Sequence, residues 1–249
     1  MNLVRDTVIL LAGATGRIGG ATLATLLAEG AYVAVISRQA ERAQSAIDAA
    51  IGRVETTRAL ALAADLNDPT SASAAVDACI AAFGRIDALV NLAGSGAGRK
   101  PLVDTSLDDL RSTLRAFAET AYTIALPALR AMLAQPYRDG ARSRGRIVTV
   151  TAGSSKAPAP GRGSFAAAKA GVNALMLAIA REHKRDGIVA NALVLGGVAF
   201  GGAEAFYSPD DLAAAATPQE VADVLTFLAS DRATGINGVL VDLNAREID

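Results

Sequence analysis

The chain contains no tryptophan, one cysteine and one histidine in 249 residues, and aromatic side chains make up only 4% of it. A single thiol, Cys79, can neither close an internal disulfide nor build a thiolate metal cluster, and it reads as packing within an apolar helical pattern. The one histidine, His183, lies in the last turn of a predicted helix, where a partial positive charge suits the dipole, and it has no second ligand at metal spacing. No metal is expected. Excess charge is also missing: 24 basic residues stand against 25 acidic ones, so no strong field favours nucleic acid or an anionic membrane as a partner. The N-terminal apolar run is too short for a membrane span and lacks the basic start and cleavage site of a signal peptide, which predicts a cytoplasmic location. One polar, basic stretch from Pro136 to Arg146, with Tyr137, Arg138, Arg142, Arg144 and Arg146, reads as a solvated surface loop.

Small apolar side chains are abundant. Hydrophobic residues make up 51% of the chain, with alanine, valine, leucine and isoleucine supplying most of the core. Short apolar runs suited to strands buried on both faces alternate with helical patterns. Strands are predicted at Val8 to Ala12, Ala31 to Ser37, Ala59 to Ala64, Ala88 to Asn91, Ile147 to Thr151, Ile188 to Leu195 and Val239 to Val241. Helices are predicted at Ala21 to Glu29, Glu41 to Ile51, Pro69 to Phe83, Ser164 to Arg185 and Pro218 to Ala229. One long helix over Ser106 to Leu133 should bend at Pro127, whose ring removes a hydrogen bond. No linker interrupts the alternation. It predicts one α/β domain over residues 1–249: a doubly wound, Rossmann-like parallel sheet of about seven strands with helices on both faces. The helix from Ser164 is small or apolar nearly all round, with Ala166, Ala170, Ala174 and Ala178 on one stripe, and is expected either to be buried within the monomer or, in preference, to be shared with a second subunit.

Between the first strand and its helix lies Gly13-Ala14-Thr15-Gly16-Arg17-Ile18-Gly19. Glycines there let backbone N–H groups approach a diphosphate, and a helix N-terminus adds partial positive charge. Alone the pattern is weak, since glycines also make ordinary turns; after the first strand of such a chain it is strong. Ser37-Arg38 ends the second strand, where NAD-binding folds commonly place an acid for the ribose hydroxyls. Arg38 suits a 2′-phosphate instead, with Arg17 close by in the turn, so NADP(H) is expected over NAD(H).

These motifs together make the chain resemble a short-chain dehydrogenase/reductase over nearly its whole length. Asp65-Leu66 matches the adenine-holding pair of that family and Asn91-Leu92-Ala93-Gly94 its Asn-Asn-Ala-Gly. Pro218-Gln219-Glu220-Val221-Ala222, Leu228-Ala229-Ser230-Asp231 and Gly235-Ile236-Asn237-Gly238 fit its compact single-domain members. Arg17 stands where those members carry glycine, so Gly13, Gly16 and Gly19 follow the spacing of the extended and atypical branches. The resemblance implies that Gly13, Thr15, Gly16, Arg17, Ile18, Gly19, Ser37, Arg38, Asp65, Leu66, Asn91, Ala93, Gly94, Lys169 and Val198 contact the cofactor. It also implies a small-molecule substrate and a homodimer or homotetramer.

The same resemblance exposes departures at the reacting end. In the family a tyrosine hydroxyl moves the proton, a lysine four residues later lowers its pKa and binds the nicotinamide ribose, a serine orients the substrate oxygen and an asparagine supports the relay. Here Lys169 is kept, but Phe165 stands for the tyrosine, Ala152 for the serine and Phe117 for the asparagine. Leu195-Gly196 replaces a Pro-Gly turn, Phe200 the threonine that holds the carboxamide, and the substrate-covering loop, Gly201 to about Thr217, is short. Substitutes for the lost groups could come from Ser154, Ser155, Tyr122, Tyr207 or Glu204, none at a compelling spacing; Ser154 and Ser155 also suit backbone capping in their loop. The expectation is an NADP(H)-binding protein with weak or absent ketone and alcohol redox activity. Hydride transfer to an imine or activated alkene, non-redox chemistry in the old pocket, and a silent nucleotide-binding or subunit role remain as alternatives.

Overall fold

The computed structural model describes residues 3–52, 57–94, 98–199, 201, 212 and 215–243. Seven strands form one parallel sheet: β1 (Val8–Ala12), β2 (Tyr32–Ser37), β3 (Ala59–Ala63), β4 (Ala88–Asn91), β5 (Gly145–Ala152), β6 (Ile188–Leu195) and β7 (Leu240–Leu243), in the order β3-β2-β1-β4-β5-β6-β7. The chain winds outward from β1 to β3, then returns to lay β4 on the other side of β1. The doubly wound sheet expected from the sequence is present.

Helices cover both faces. On one side, α3 (Pro69–Phe83), α5 (Thr120–Ala134) and α6 (Gly163–Glu182) pack Cys79, Ile124, Met132, Met176 and Ile179 against Leu10, Leu89 and Ile147. On the other, α1 (Arg17–Ala28), α2 (Ala40–Ile51) and α7 (Pro218–Leu228) set Leu23, Ile47 and Leu225 against Ile9, Val33 and Val148. Alternate residues of each strand enter opposite cores, so the strands read as continuous apolar runs. Cys79 is fully buried, and burial pushes its thiol up to about 12. Helix starts follow local chemistry: Pro69 follows the Asp68 cap of α3, and Thr217 with Glu220 forms a capping box on α7.

Three expectations need correction. Helix α1 begins at Arg17, four residues before the expected Ala21, because packing of Gly19 against the turn overrides the low helix propensity of Gly19 and Gly20. The long helix is interrupted at a π turn, Arg115–Glu119, between α4 (Leu107–Leu114) and α5, which runs through Pro127 to Ala134. The Thr120 hydroxyl donates to the Ala116 and Phe117 carbonyls, and its backbone N–H donates to those of Arg115 and Phe117. The basic stretch is only partly solvated. Arg146 is the second residue of β5 and just 2% exposed, and it pairs with Asp231, which Arg138 also reaches at 2.6 Å. Arg144 donates to the Leu133 carbonyl and stacks on Tyr137. Arg138 and Arg146 thereby tie the N-terminal edge of the sheet to the segment after α7.

Helix α6 is long and apolar enough to cross a membrane by length and composition, yet Val172 is buried and Met176 and Ile179 pack into the core against the sheet. On its alanine stripe, Ala166 is buried within the chain while Ala170, Ala174 and Ala178 face outward. His183 caps the C-terminus of α6 and meets Asp186 at 2.9 Å.

Candidate functional site

A groove of about 760 Å³ crosses the C-terminal ends of β3, β2, β1 and β4, at the point where the winding reverses. Crevices at such switch points are where open α/β sheets bind ligands, because the diverging connections leave a gap above the strand ends. Gly13, Thr15 and Gly16 line it after β1, Ser37 and Arg38 after β2, Asp65 and Leu66 after β3, and Ala93 and Gly94 after β4. Gly16 is the N-cap of α1 and has no side chain to satisfy the first N–H groups, so they remain available to an acceptor in the groove.

Glycine is required at two of these turn positions for different reasons. Gly13 has φ +90°, and a Cβ there would stand 2.7 Å from the Leu92 carbonyl carbon. A Cβ on Gly19 would collide with the Gly13 carbonyl oxygen and stand 2.7 Å from the Ala14 Cα. Both neighbours are backbone and cannot yield cheaply. Gly19→Ala is expected to cost about 2 kcal/mol in a denaturant titration, whereas Gly16→Ala, whose Cβ meets only an ordinary contact, should stay within about 0.5 kcal/mol of wild type. Equal stability of the two variants would contradict this account of the turn.

At one end the groove is basic. Arg38 is joined by Arg42, in the first turn of α2, and interacts with Asp65. Hydrogen bonds from the Asn67 backbone and side chain hold the Asp65 carboxyl below its usual range, with a smaller contribution from Arg38. At the other end stand Gly94, Ala116 and Thr120. The Phe117 ring rests on the Gly94 backbone so closely that a Cβ there would overlap it.

Lys169 lies beyond that ring. Strand β5 outruns β4, whose last residue Asn91 pairs with Thr149, and the Val150 carbonyl past that point accepts from Lys169 Nζ at 2.9 Å. The ammonium sits 4.8 Å from the Phe117 centroid and 6.0 Å from that of Phe165, and the two rings meet edge to face at 5.0 Å. Lys169 is 8% exposed, and burial pushes its amine down to about 8. No carboxylate among the described residues forms an ion pair with it. Ala152 ends β5 with a methyl group.

The remaining predicted residues that the structure describes do not line the groove. Arg17 is exposed at the first position of α1, Ile18 and Gly19 turn inward, and buried Asn91 accepts from the Ala93 N–H. Val198 is buried in a bridge with Ala216. Ser155 accepts from Asn173 Nδ2 at 2.8 Å, and Tyr122 is exposed on α5. Phe200, Glu204 and Tyr207 lie outside the described residues. Sequence reasoning missed Ile36, Gln39, Arg42, Ala64, Asn67, Leu92, Ala116 and Thr120 as lining residues. Arg42 was within reach, since it follows Arg38 by four residues at the start of a helix; Ala116 and Thr120 were not, because the π turn aims them. A second cavity, about 290 Å³, lies beside Phe165, between residues 98–100, α4 and the start of α6.

The profile of the short chain dehydrogenase family matches residues 7–208. A Streptomyces virginiae A-factor type gamma-butyrolactone 1′-reductase is 30% identical, covering 95% of this chain and 93% of its own. An NADPH-dependent aldehyde reductase-like chloroplastic protein of Arabidopsis thaliana is 29% identical over 95% of this chain and 92% of its own. A solved Serratia marcescens short-chain dehydrogenase/reductase, a double mutant with two phenylalanines replaced by leucine, superposes with a TM-score of 0.83 at 25% identity, covering 98% of each chain.

Proposed function

The chain belongs to the short chain dehydrogenase family, an oxidoreductase family that binds nicotinamide cofactors, and from that premise we propose that it is an NADP(H)-binding member with little ordinary ketone or alcohol redox activity. The observation that carries this reading is the Phe117–Phe165 pair packed over Lys169, with Ala152 at the end of β5. A carbonyl oxygen placed there would gain negative charge beside methyl and phenyl groups at the two positions where the family carries its serine and tyrosine hydroxyls. Loss of a positioned general acid by itself slows reaction by roughly a hundred- to ten-thousand-fold.

The remaining features supply the binding half. Gly13, Gly16 and the start of α1 would hold the diphosphate, and Asp65, Leu66, Asn91, Ala93 and Gly94 would frame the nucleoside. Arg38 and Arg42 together suit a 2′-phosphate by charge and position. The Arabidopsis relative is named as NADPH-dependent, which supports the same preference. Ala170, Ala174 and Ala178 offer a small-residue face through which two or four copies would assemble.

Titration of NADPH fluorescence tests the cofactor half. Binding is expected, and replacing Arg38 and Arg42 together by alanine should weaken NADPH about tenfold or more while changing NADH much less. Absence of binding at millimolar nucleotide would defeat the proposal. For the chemical half, NADPH consumption with a panel of ketones and aldehydes should be at least about a hundredfold slower in wild type than in the Ala152→Ser, Phe165→Tyr double variant. Robust ketone reduction by the wild type would refute it.

A further inference from the structure

We infer that the buried ammonium of Lys169 acts through space on the nucleotide, weighing against the oxidised, positively charged nicotinamide ring and so tipping occupancy towards NADPH over NADP⁺. This rests on the nucleotide reading above and adds to it a residue that distinguishes the two redox forms.

The direction of the nucleotide follows from the groove. With the 2′-phosphate at Arg38 and Arg42 and the diphosphate on the glycine turn, the second nucleoside is directed to the other end, where Gly94, Ala116 and Thr120 form the wall. Phe117 backs that wall, with its ring so close to Gly94 that a Cβ there would overlap it. The Lys169 ammonium lies against the same ring, 4.8 Å from its centroid. One aromatic ring therefore separates a positive charge from the groove wall.

That charge is fixed and weakly screened. Lys169 is buried, its Nζ donates to the Val150 carbonyl at 2.9 Å, and the Phe165 centroid lies 6.0 Å away. Burial lowers the amine only to about 8, so near pH 7 it is still mostly protonated. Salt screens buried charges much less than exposed ones. The faces of Phe117 and Phe165 attract cations, but the ammonium already lies within reach of both.

Oxidised nicotinamide carries a positive charge and the reduced ring carries none. A site distinguishes two ligands only through interactions that differ between them, and a fixed like charge is such an interaction. It disfavours NADP⁺ and leaves NADPH nearly untouched. A hydrogen bond from Lys169 to the ribose would act on both forms alike, because that sugar is the same in each. The two roles therefore predict different patterns of affinity.

Isothermal titration of the full chain and of its Lys169→Met variant with NADPH, NADP⁺ and 2′-phospho-ADP-ribose separates them. Every other group is common to both proteins, so the change in the ratio of the NADP⁺ and NADPH dissociation constants reports Lys169 alone. That ratio should fall at least about fivefold in the variant, through tighter NADP⁺ binding, while 2′-phospho-ADP-ribose stays within about threefold. A smaller fall overturns the inference, as does an equal loss of affinity for NADPH and NADP⁺, which marks a ribose bond instead of a charge. Should the methionine variant lose 2′-phospho-ADP-ribose, its groove has changed, and Lys169→Gln, neutral but able to donate to the Val150 carbonyl, is read by the same criteria. If only nucleotides without the 2′-phosphate bind, the same ratio for NAD⁺ and NADH decides the matter and the 2′-phosphate preference alone falls. If no nucleotide binds, both readings fall together.

Discussion

Replacing Asp231 by alanine is expected to cost about 3 to 5 kcal/mol of stability, because it strands a buried guanidinium. Arg146 is 2% exposed, and its side-chain partners are Asp231 and, at 3.1 Å, the Thr234 hydroxyl. Burial alone would raise the Asp231 carboxyl, but the attraction and hydrogen bonds of Arg146 and Arg138 outweigh it and hold the group below the usual carboxylate range. The sign for pH follows. A carboxyl with a lowered folded pKa stabilises the protein above its unfolded value, about 4, and that contribution is lost as pH falls through the folded value. In thermal unfolding near pH 7 the variant should melt about 10 °C lower. The double variant Arg146→Met, Asp231→Ala should recover at least about 2 kcal/mol of the loss, since the guanidinium is then no longer buried without Asp231. If the double variant is no more stable than Asp231→Ala alone, the cost does not come from the stranded charge.

Lys169→Met should act in the opposite direction and raise stability near pH 7 by roughly 2 kcal/mol. Burial lowers the amine to about 8. An unfolded lysine titrates near 10.4, and a difference of that size corresponds to roughly 3 kcal/mol of penalty for keeping the ammonium inside the protein. The lost bond to Val150 returns about 1 kcal/mol of that. Between pH 8 and about 10 the unfolded chain binds more protons at this residue than the folded one, so its destabilising contribution fades as pH rises. Cys79 works against it: a thiol raised to about 12 by burial makes the folded state relatively less stable as pH climbs above about 8.5. Both proteins contain Cys79, so the difference between their denaturation curves isolates the lysine. The advantage of Lys169→Met should shrink from pH 7 to pH 10. An advantage independent of pH, or a loss of stability at pH 7, would contradict the desolvated ammonium.

Much of this architecture was legible because its signals are local. Four elements, Val8–Ala12, Pro69–Phe83, Ala88–Asn91 and Ile188–Leu195, fall where the apolar runs and breakers place them. The misplaced features are those that distant contacts decide. Gly19 and Gly20 look like poor helix formers until Gly19 is seen against the Gly13 carbonyl. Arg146 looks solvated in a run of arginines because its partner lies 85 residues away. Pro127 draws attention as a helix breaker, while the π turn beside it has no residue signature in Arg115–Glu119.

The sequence by itself determined the order of strands and helices, the glycine turn at the first strand end, and the residue types, phenylalanine and alanine, at positions where the family resemblance expects hydroxyl and amide. Each is a matter of spacing or side-chain chemistry within a short segment. Only the tertiary structure decided that Arg42 joins Arg38, that Phe117 settles on Gly94, and that Lys169 turns to Val150 and away from the groove. Those outcomes depend on how close segments far apart in the chain come once the sheet is closed, and close packing of two cores sets those distances.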